Sequence, residues 1–176
     1  PLVTKKIDEK IKSYGHEKAG EVPTKKFLAS LGVPGVIRDK VVKLVANHML
    51  PTMFYISFLQ GKEVNDGAIR RLAERMYPAT ISELIWVAES DHLGRGFFSP
   101  EKRAQLLLAP DQFLPGPYLL RRARELEVEK SRPTSLTRGR DWLGLGFPAG
   151  EKIGQLIKLS DRCRDELGLS REEVLS

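Results

Sequence analysis

Residues 41–48 read VVKLVANH, and the spacing of their apolar side chains decides the fold class. Positions i, i+3, i+4 and i+7 of a helix lie on one face, and here those positions hold Val41, Leu44, Val45 and His48. The same spacing recurs over residues 69–76 and again over residues 81–88. No strand alternation of useful length occurs in the sequence. The sequence therefore predicts an all-α fold.

The periodicity and the helix-ending residues together predict where the helices begin and end. We expect helices over residues 16–31, 36–50, 66–77, 79–92, 117–128, 138–145 and 149–167. Pro23 should kink or interrupt the first of them, which Gly32 ends. Asn65 or Asp66 is expected to cap the third helix, and Thr80 the fourth.

Glycine and proline are concentrated between residues 94 and 117. Residues of these two types interrupt helices and mark connections between packed units. We therefore place a boundary in this stretch and predict two domains, a helical bundle over residues 1–98 and a smaller helical domain over residues 99–176.

The composition favours a cytoplasmic protein with a polyanionic partner. The net charge is +6 and the pI is about 9.5, which suggests nucleic acid as the partner. Apolar runs such as residues 54–59 are too short to span a bilayer, so we expect no membrane partner. Cys163 is the single cysteine, which excludes an intramolecular disulfide and favours a reducing compartment.

Three polar residues stand where the helical pattern calls for apolar ones, namely His16, His48 and Asp91. Burial of an imidazole or a carboxylate costs free energy unless a partner compensates it. Two imidazoles and a carboxylate are a standard ligand set for a divalent metal. The alternative is that the histidines bond to backbone carbonyl groups and that Asp91 caps the end of its helix.

Basic residues are concentrated in the carboxyl-terminal part of the chain. Between residues 101 and 164 there are 13 Lys and Arg against 8 Asp and Glu. The basic residues that we expect to contact RNA phosphates are Arg121, Arg122, Arg124, Arg138, Arg140 and Lys152. Arg138 and Arg140 stand at a glycine-containing helix start, where free N–H groups also favour phosphate. The alternative is local ion pairing, such as Arg121 with Glu125 at i, i+4.

Several segments resemble a known family. Residues 15–20 read GHEKAG and residues 88–96 read AESDHLGRG. With Phe27-Leu28, Leu31-Gly32 and residues 41–48, they resemble the later part of the HD domain of bacterial CCA-adding enzymes and the related poly(A) polymerases. In that family a His-Asp-x-Gly-Lys-Pro segment precedes the Gly-His-Glu motif. The opening PLVTK looks as though it begins immediately after that His-Asp pair.

The carboxyl-terminal part is similar to the tRNA-binding end of the same family. Residues 136–143 read LTRGRDWL, and Leu145-Gly146 and the segment GEKIG of residues 150–154 follow. The family pattern is Leu-x-Gly-x-Asp-Leu, then Leu-Gly, then Pro-Gly-x-x-x-Gly. Trp142 stands where a leucine is common, and Ala149 separates Pro148 from Gly150. The resemblance extends over about residues 1–175.

The resemblance implies an HD-like helical bundle followed by a smaller helical tail domain. It implies a tRNA-binding and scaffolding region of a tRNA nucleotidyltransferase, either CCA-adding or polyadenylating. The family's nucleotidyltransferase head carries a Gly-Ser pair and an Asp-x-Asp metal site on a β-sheet, and the sequence contains neither. That head is therefore expected upstream or in trans, and no catalytic residue is assigned to this chain.

Two other functions stay open from the sequence. One is a metal-dependent HD-domain phosphohydrolase acting on phosphate esters, which needs His16, His48 and Asp91 to converge. Its cofactor would be manganese, magnesium or zinc, at a site that lacks the family's remaining ligands. The other is a protein–protein docking module with no nucleic-acid role.

Overall fold

The computed structural model describes residues 3–7, 10–62, 64–94, 100–101 and 113–176. Their helices are α1 (His16–Ala19), α2 (Glu21–Ser30), α3 (Gly35–Asn47), α4 (Leu50–Leu59), α5 (Asp66–Met76), α6 (Ile81–Gly94), α7 (Pro115–Glu125), α8 (Gly139–Gly144), α9 (Glu151–Leu167) and α10 (Arg171–Leu175). A two-stranded antiparallel ribbon of β1 (Lys5–Ile7) and β2 (Lys10–Lys12) precedes them. The fold class is all-α with this one short ribbon, as predicted.

The first predicted helix, over residues 16–31, is interrupted at Gly20 and forms α1 and α2. Pro23 is the third residue of α2, within its first turn. The N–H groups of a first turn have no partner inside the helix, so a proline there removes no hydrogen bond. The expected interruption is thus present, but it lies at Gly20, three residues before Pro23. Gly32, with φ of 69°, follows α2 and allows the turn toward α3.

Helix α4 was not predicted, because it is apolar on nearly every side. Its sequence is LPTMFYISFL, so no polar face marks a period of 3.6 residues. Met53, Ile56 and Leu59 are about half exposed or more on its outer side. Its inner side packs on α6 and α7, with Phe54 and Tyr55 against the buried core.

The core lies where α5, α6 and α7 pack together. The predicted stripe of α5 is buried at every position, and so is that of α6: Ile69, Leu72, Ala73, Met76, Ile81, Leu84, Ile85 and Ala88. Asn65 caps α5 by accepting the N–H of Ala68 at 2.8 Å. Thr80 caps α6 by accepting the N–H of Glu83 at 3.2 Å. Both predicted caps are therefore confirmed.

The buried core continues past the predicted domain boundary. Leu119 and Ala123 of α7 are fully buried in the same cluster as the residues of α5 and α6. The boundary itself, at residues 98 and 99, lies outside the described residues. The predicted division into two domains stays a prediction, with α7 packed on the amino-terminal bundle.

The tail consists of α8, α9 and α10. Helix α9 crosses α5 at Gly67, where a side-chain carbon would lie 2.6 Å from Cβ of Asp165. The two helices thus touch through their backbones at this point. Helix α10 was not predicted, although Ser170 and Glu173 form a capping box at its start. That Ser-x-x-Glu spacing was the signal that could have revealed it.

Candidate nucleic-acid interface and histidine pair

His16 and His48 meet between α1 and the end of α3. Their Nε2 atoms lie 3.1 Å apart, and His48 is buried. Gly20 makes the approach possible, because a side-chain carbon there would lie 3.0 Å from Cγ1 of Val45 on α3. Helix α1 therefore packs directly on α3, and two of the three predicted metal ligands are neighbours.

The remaining nitrogen of each ring is held by the backbone. Nδ1 of His16 is 2.8 Å from the carbonyl oxygen of Ser13, and Nδ1 of His48 is 2.7 Å from that of Val45. A carbonyl oxygen only accepts, so both Nδ1 atoms carry the proton. A hydrogen bond between the two Nε2 atoms then needs one further proton, which gives the pair one positive charge. Oε2 of Glu17 lies 3.6 Å from Nδ1 of His16 and faces that charge.

Without that proton, each Nε2 atom carries a lone pair, and the two atoms are 3.1 Å apart. Nitrogen ligands bind zinc at about 2.0–2.1 Å, so two of them on one ion lie roughly 3 Å apart. The pair therefore matches two positions of a metal site. Among the described residues, however, no three His, Cys, Asp or Glu side chains are arranged to hold a metal ion. Asp91 is half-buried on α6 and completes no such group.

The arginines of α7 are committed to carboxylates of the same chain. Nη2 of Arg122 lies 2.5 Å from Oδ1 of Asp66, and the side chain of Arg122 is only 14% exposed. Arg124 donates to both carboxylate oxygens of Glu129, at 2.8 and 3.1 Å. This pairing holds the pKa of Glu129 below its ordinary value. Two of the three α7 arginines predicted to bind RNA therefore already have internal partners. The pair of Arg122 is largely covered, and Arg124 is held through two hydrogen bonds although its side chain is 63% exposed.

The third arginine of α7, Arg121, forms the local ion pair with Glu125 that was the alternative to RNA binding. Nη1 of Arg121 lies 3.1 Å from Oε1 of Glu125, four residues further along the helix. Both side chains are exposed, so this pair holds Arg121 weakly. Arg121 is thus more available to a phosphate than its two neighbours.

The other three predicted RNA contacts lie at the starts of α8 and α9. Arg138 and Lys152 are exposed. Arg140 has a 74% exposed side chain, and among the described residues its closest carboxylate contact is at 4.0 Å, to Asp141. Gly150 precedes α9 without a side-chain cap, so it leaves first-turn N–H groups of α9 for other acceptors. The packing of α8 on α9 brings these basic residues to one end of the tail.

Asp141 holds the start of α8 in place. It accepts the backbone N–H of Arg138 at 2.7 Å and a bond from Nη2 of Arg171 at 2.8 Å. The bond from Arg171, together with that from the Arg138 backbone, holds the pKa of Asp141 below its ordinary value. Asp141 thereby fixes the backbone that carries Arg138 and leaves the Arg138 side chain exposed.

A buried chain of hydrogen bonds joins α8 to α9. Nε1 of Trp142 donates to Oγ1 of Thr137 at 3.0 Å, and Oγ1 of Thr137 lies 2.7 Å from Oγ of Ser160. Oγ of Ser160 donates to the carbonyl oxygen of Ile157 at 2.7 Å. Each hydroxyl has one proton, so Thr137 must donate to Ser160. Each side-chain polar atom in this series of hydrogen bonds has a partner. The series therefore fixes α8 on α9, the two helices that carry the basic end of the tail.

A second basic region, unforeseen from the sequence, is an open cleft of about 860 Å³ between α5, α9 and the segment 132–135. Its basic lining residues are Arg70, Arg71, Arg132, Lys158, Arg162 and Arg164, and its acidic ones are Glu74, Asp161, Asp165 and Glu166. The cations come from helices far apart in the chain, so no local pattern links them. Clusters of arginine on α5 and α9 were the only available signal.

Cys163 is half-buried on α9 and forms no disulfide. No helix within the described ranges combines the length and the apolar character needed to cross a membrane.

Comparison of the chain with protein-family models, curated proteins and solved structures finds no match in any of the three. The resemblance to CCA-adding enzymes and poly(A) polymerases therefore stays a prediction.

Proposed function

We propose that this chain is a cytoplasmic tRNA-binding and scaffolding region of a tRNA nucleotidyltransferase, CCA-adding or polyadenylating. The nucleotidyltransferase head would be supplied upstream or in trans. The observation that carries the proposal is the group of exposed basic side chains at the starts of α8 and α9, Arg138, Arg140 and Lys152.

These side chains suit phosphate better than any internal partner. Neither Arg138 nor Lys152 has an ion pair with a described residue, and Arg140 has only its 4.0 Å contact to Asp141. A folded chain that keeps charged side chains exposed and unpaired on rigid helices offers preorganised contacts to a polyanion. Such contacts read the backbone of an RNA and not its base sequence.

The test is the binding of a tRNA transcript by the purified chain across a salt series. We expect affinity to fall linearly with the logarithm of salt concentration, by roughly 0.7–0.9 units of slope for each phosphate contact. A chain that binds tRNA weakly at low salt, or with no salt dependence, would refute the proposal and favour the docking module.

A second candidate function is the metal-dependent HD phosphohydrolase. One observation favours it, namely the opposed Nε2 atoms of His16 and His48, whose Nδ1 atoms are fixed by backbone carbonyl groups. This is the orientation of metal-bound histidines. The two imidazoles fill at most two positions on an ion, so a hydrolytic site would need ligands from outside the described residues.

A further inference from the structure

We propose that the cleft between α5 and α9 binds the phosphodiester backbone of RNA, with Arg71 on α5 and Lys158 on α9 as its contacts. This inference rests on the proposed RNA-binding function. It places a second contact region on the molecule, apart from the basic end formed by α8 and α9.

The acidic residues of the cleft are already neutralised. Asp165 accepts from Nη1 of Arg70 at 3.1 Å and from Nε of Arg164 at 2.9 Å. Glu74 accepts from Nε of Arg132 at 3.0 Å and also from its Nη2. The bond from Arg132 holds the pKa of Glu74 below its ordinary value.

The two remaining carboxylates are engaged as well. Asp161 accepts the backbone N–H of Leu136 at 2.7 Å and lies 3.5 Å from Nη1 of Arg164. Glu166 lies 3.5 Å from Nε of Arg162, in a pair whose side chains are both more than half exposed. All four carboxylates of the cleft thus face cations of the chain itself.

Two cations are left over in this arrangement. Arg71 and Lys158 line the cleft, and neither has a hydrogen bond or ion pair with a described residue. Both are exposed. A side-chain carbon at Gly67 would lie 3.0 Å from Nη1 of Arg71, so this guanidinium lies beside the crossing of α5 and α9. The described lining of the cleft therefore carries an excess of two positive charges, one from each helix.

The rest of the lining favours a backbone over a base or an apolar side chain. Of the described residues that line the cleft, Pro133 alone is apolar, and none is aromatic. Base recognition in single strands relies on aromatic stacking, which these lining residues do not offer. An extended anion with regularly spaced charges can engage two cations from different helices, and Arg71 can hold a phosphate through two N–H groups.

The experiment compares the Arg71→Gln/Lys158→Gln variant with wild type in the binding of a tRNA transcript across a salt series. We expect a roughly tenfold or larger loss of affinity and a slope reduced by about 1.5 units. The Lys25→Gln/Lys26→Gln variant is the matched control, because it removes the same charge from exposed positions of α2. It should bind tRNA within about twofold of wild type.

Three outcomes would overturn the inference. The first is that the cleft variant binds tRNA like wild type. The second is that the control loses as much affinity for tRNA as the cleft variant. The third is that the binding of a poly-glutamate peptide or of inorganic phosphate depends on Arg71 and Lys158 while the binding of tRNA does not. If the cleft variant is unaffected but an Arg138→Gln/Arg140→Gln variant loses affinity, only the cleft assignment fails. If wild type itself shows no salt-dependent binding, the proposed function fails too.

Discussion

The imidazoles of His16 and His48 face each other through their Nε2 atoms at 3.1 Å, and a backbone carbonyl holds each ring from behind. This arrangement gives one proton or one metal ion a place between the rings. The described residues supply no third ligand for a metal. The pair by itself thus offers at most two ligands to a metal ion.

We expect the purified chain to bind manganese or zinc weakly and below one ion per chain after chelation and reloading. Two neutral ligands leave most of the coordination shell to water, which gives little affinity. Elemental analysis after removal of free metal measures this, with His48→Ala as the variant that should abolish the residual binding. One tightly held ion per wild-type chain would contradict the expectation and promote the phosphohydrolase.

Arg138→Gln/Arg140→Gln should weaken tRNA binding without unfolding the chain. Exposed arginines contribute little to stability, whereas each lost phosphate contact flattens the salt dependence by roughly 0.7–0.9 units. Arg122→Gln/Arg124→Gln on α7 provides the comparison, because those two side chains are paired internally. Binding assays with two different tRNAs should show the first loss equally for both. An unchanged affinity in the first variant, or a larger loss in the second, would place the RNA surface elsewhere.

Thr137→Val removes the middle of the buried chain from Trp142 to Ser160. Nε1 of Trp142 then has no acceptor and Oγ of Ser160 loses a donor, so we expect a loss of about 1–3 kcal/mol in the free energy of unfolding. Urea denaturation measures it. Thr134→Val makes the same chemical change at an exposed position and should stay within about 0.5 kcal/mol of wild type. Equal effects of the two substitutions on the free energy of unfolding would argue against a stabilising role of these hydrogen bonds.

Gly67→Ala and Gly154→Ala should change stability in opposite directions. The new methyl group at position 67 meets Asp165 at 2.6 Å, and we expect a loss of about 1–3 kcal/mol as α9 is pushed from α5. Gly154 is inside α9 with nothing within 4 Å of its added carbon. Alanine there should stabilise the helix by about 0.5–1 kcal/mol. Thermal unfolding of both variants shows whether the two changes in stability have opposite signs or the same sign.

Asp141→Asn should lower stability at neutral pH, and the difference from wild type should shrink in acid. The bonds from Arg171 and from the Arg138 backbone lower the pKa of Asp141 below its ordinary value of 3.8. A lowered pKa means that the stabilising contribution is present above the ordinary value and is lost as the pH falls through the lowered one. Denaturant midpoints of both proteins between pH 7 and pH 2 measure it. A difference that does not change with pH would assign the effect to packing.

The periodicity of apolar residues predicted the helices that bury one face and expose the other. Helices α5 and α6 have clear apolar stripes, and those stripes are buried as expected. The apolar surface of α4 has no such contrast, so its sequence contained no period to detect. The ribbon of β1 and β2 is three residues on each side, which is too short for alternation to be recognised.

The candidate site was predicted in kind and only partly in detail. His16 and His48 were singled out because each breaks an apolar face, and they do meet. For the arginines, the sequence could not decide between a phosphate and a distant carboxylate. Arg122 finds Asp66 from a helix 56 positions away in the chain. Such a partner is set by tertiary packing and leaves no local trace.

Gly20 has a consequence for the histidine pair that extends beyond its own contact. The close approach of α1 to α3 at Gly20 brings the backbones that carry the two histidines together. A larger residue at position 20 would push α1 away from α3 and would carry His16 with it. A substitution at this one glycine would therefore change the spacing of the pair without altering either histidine.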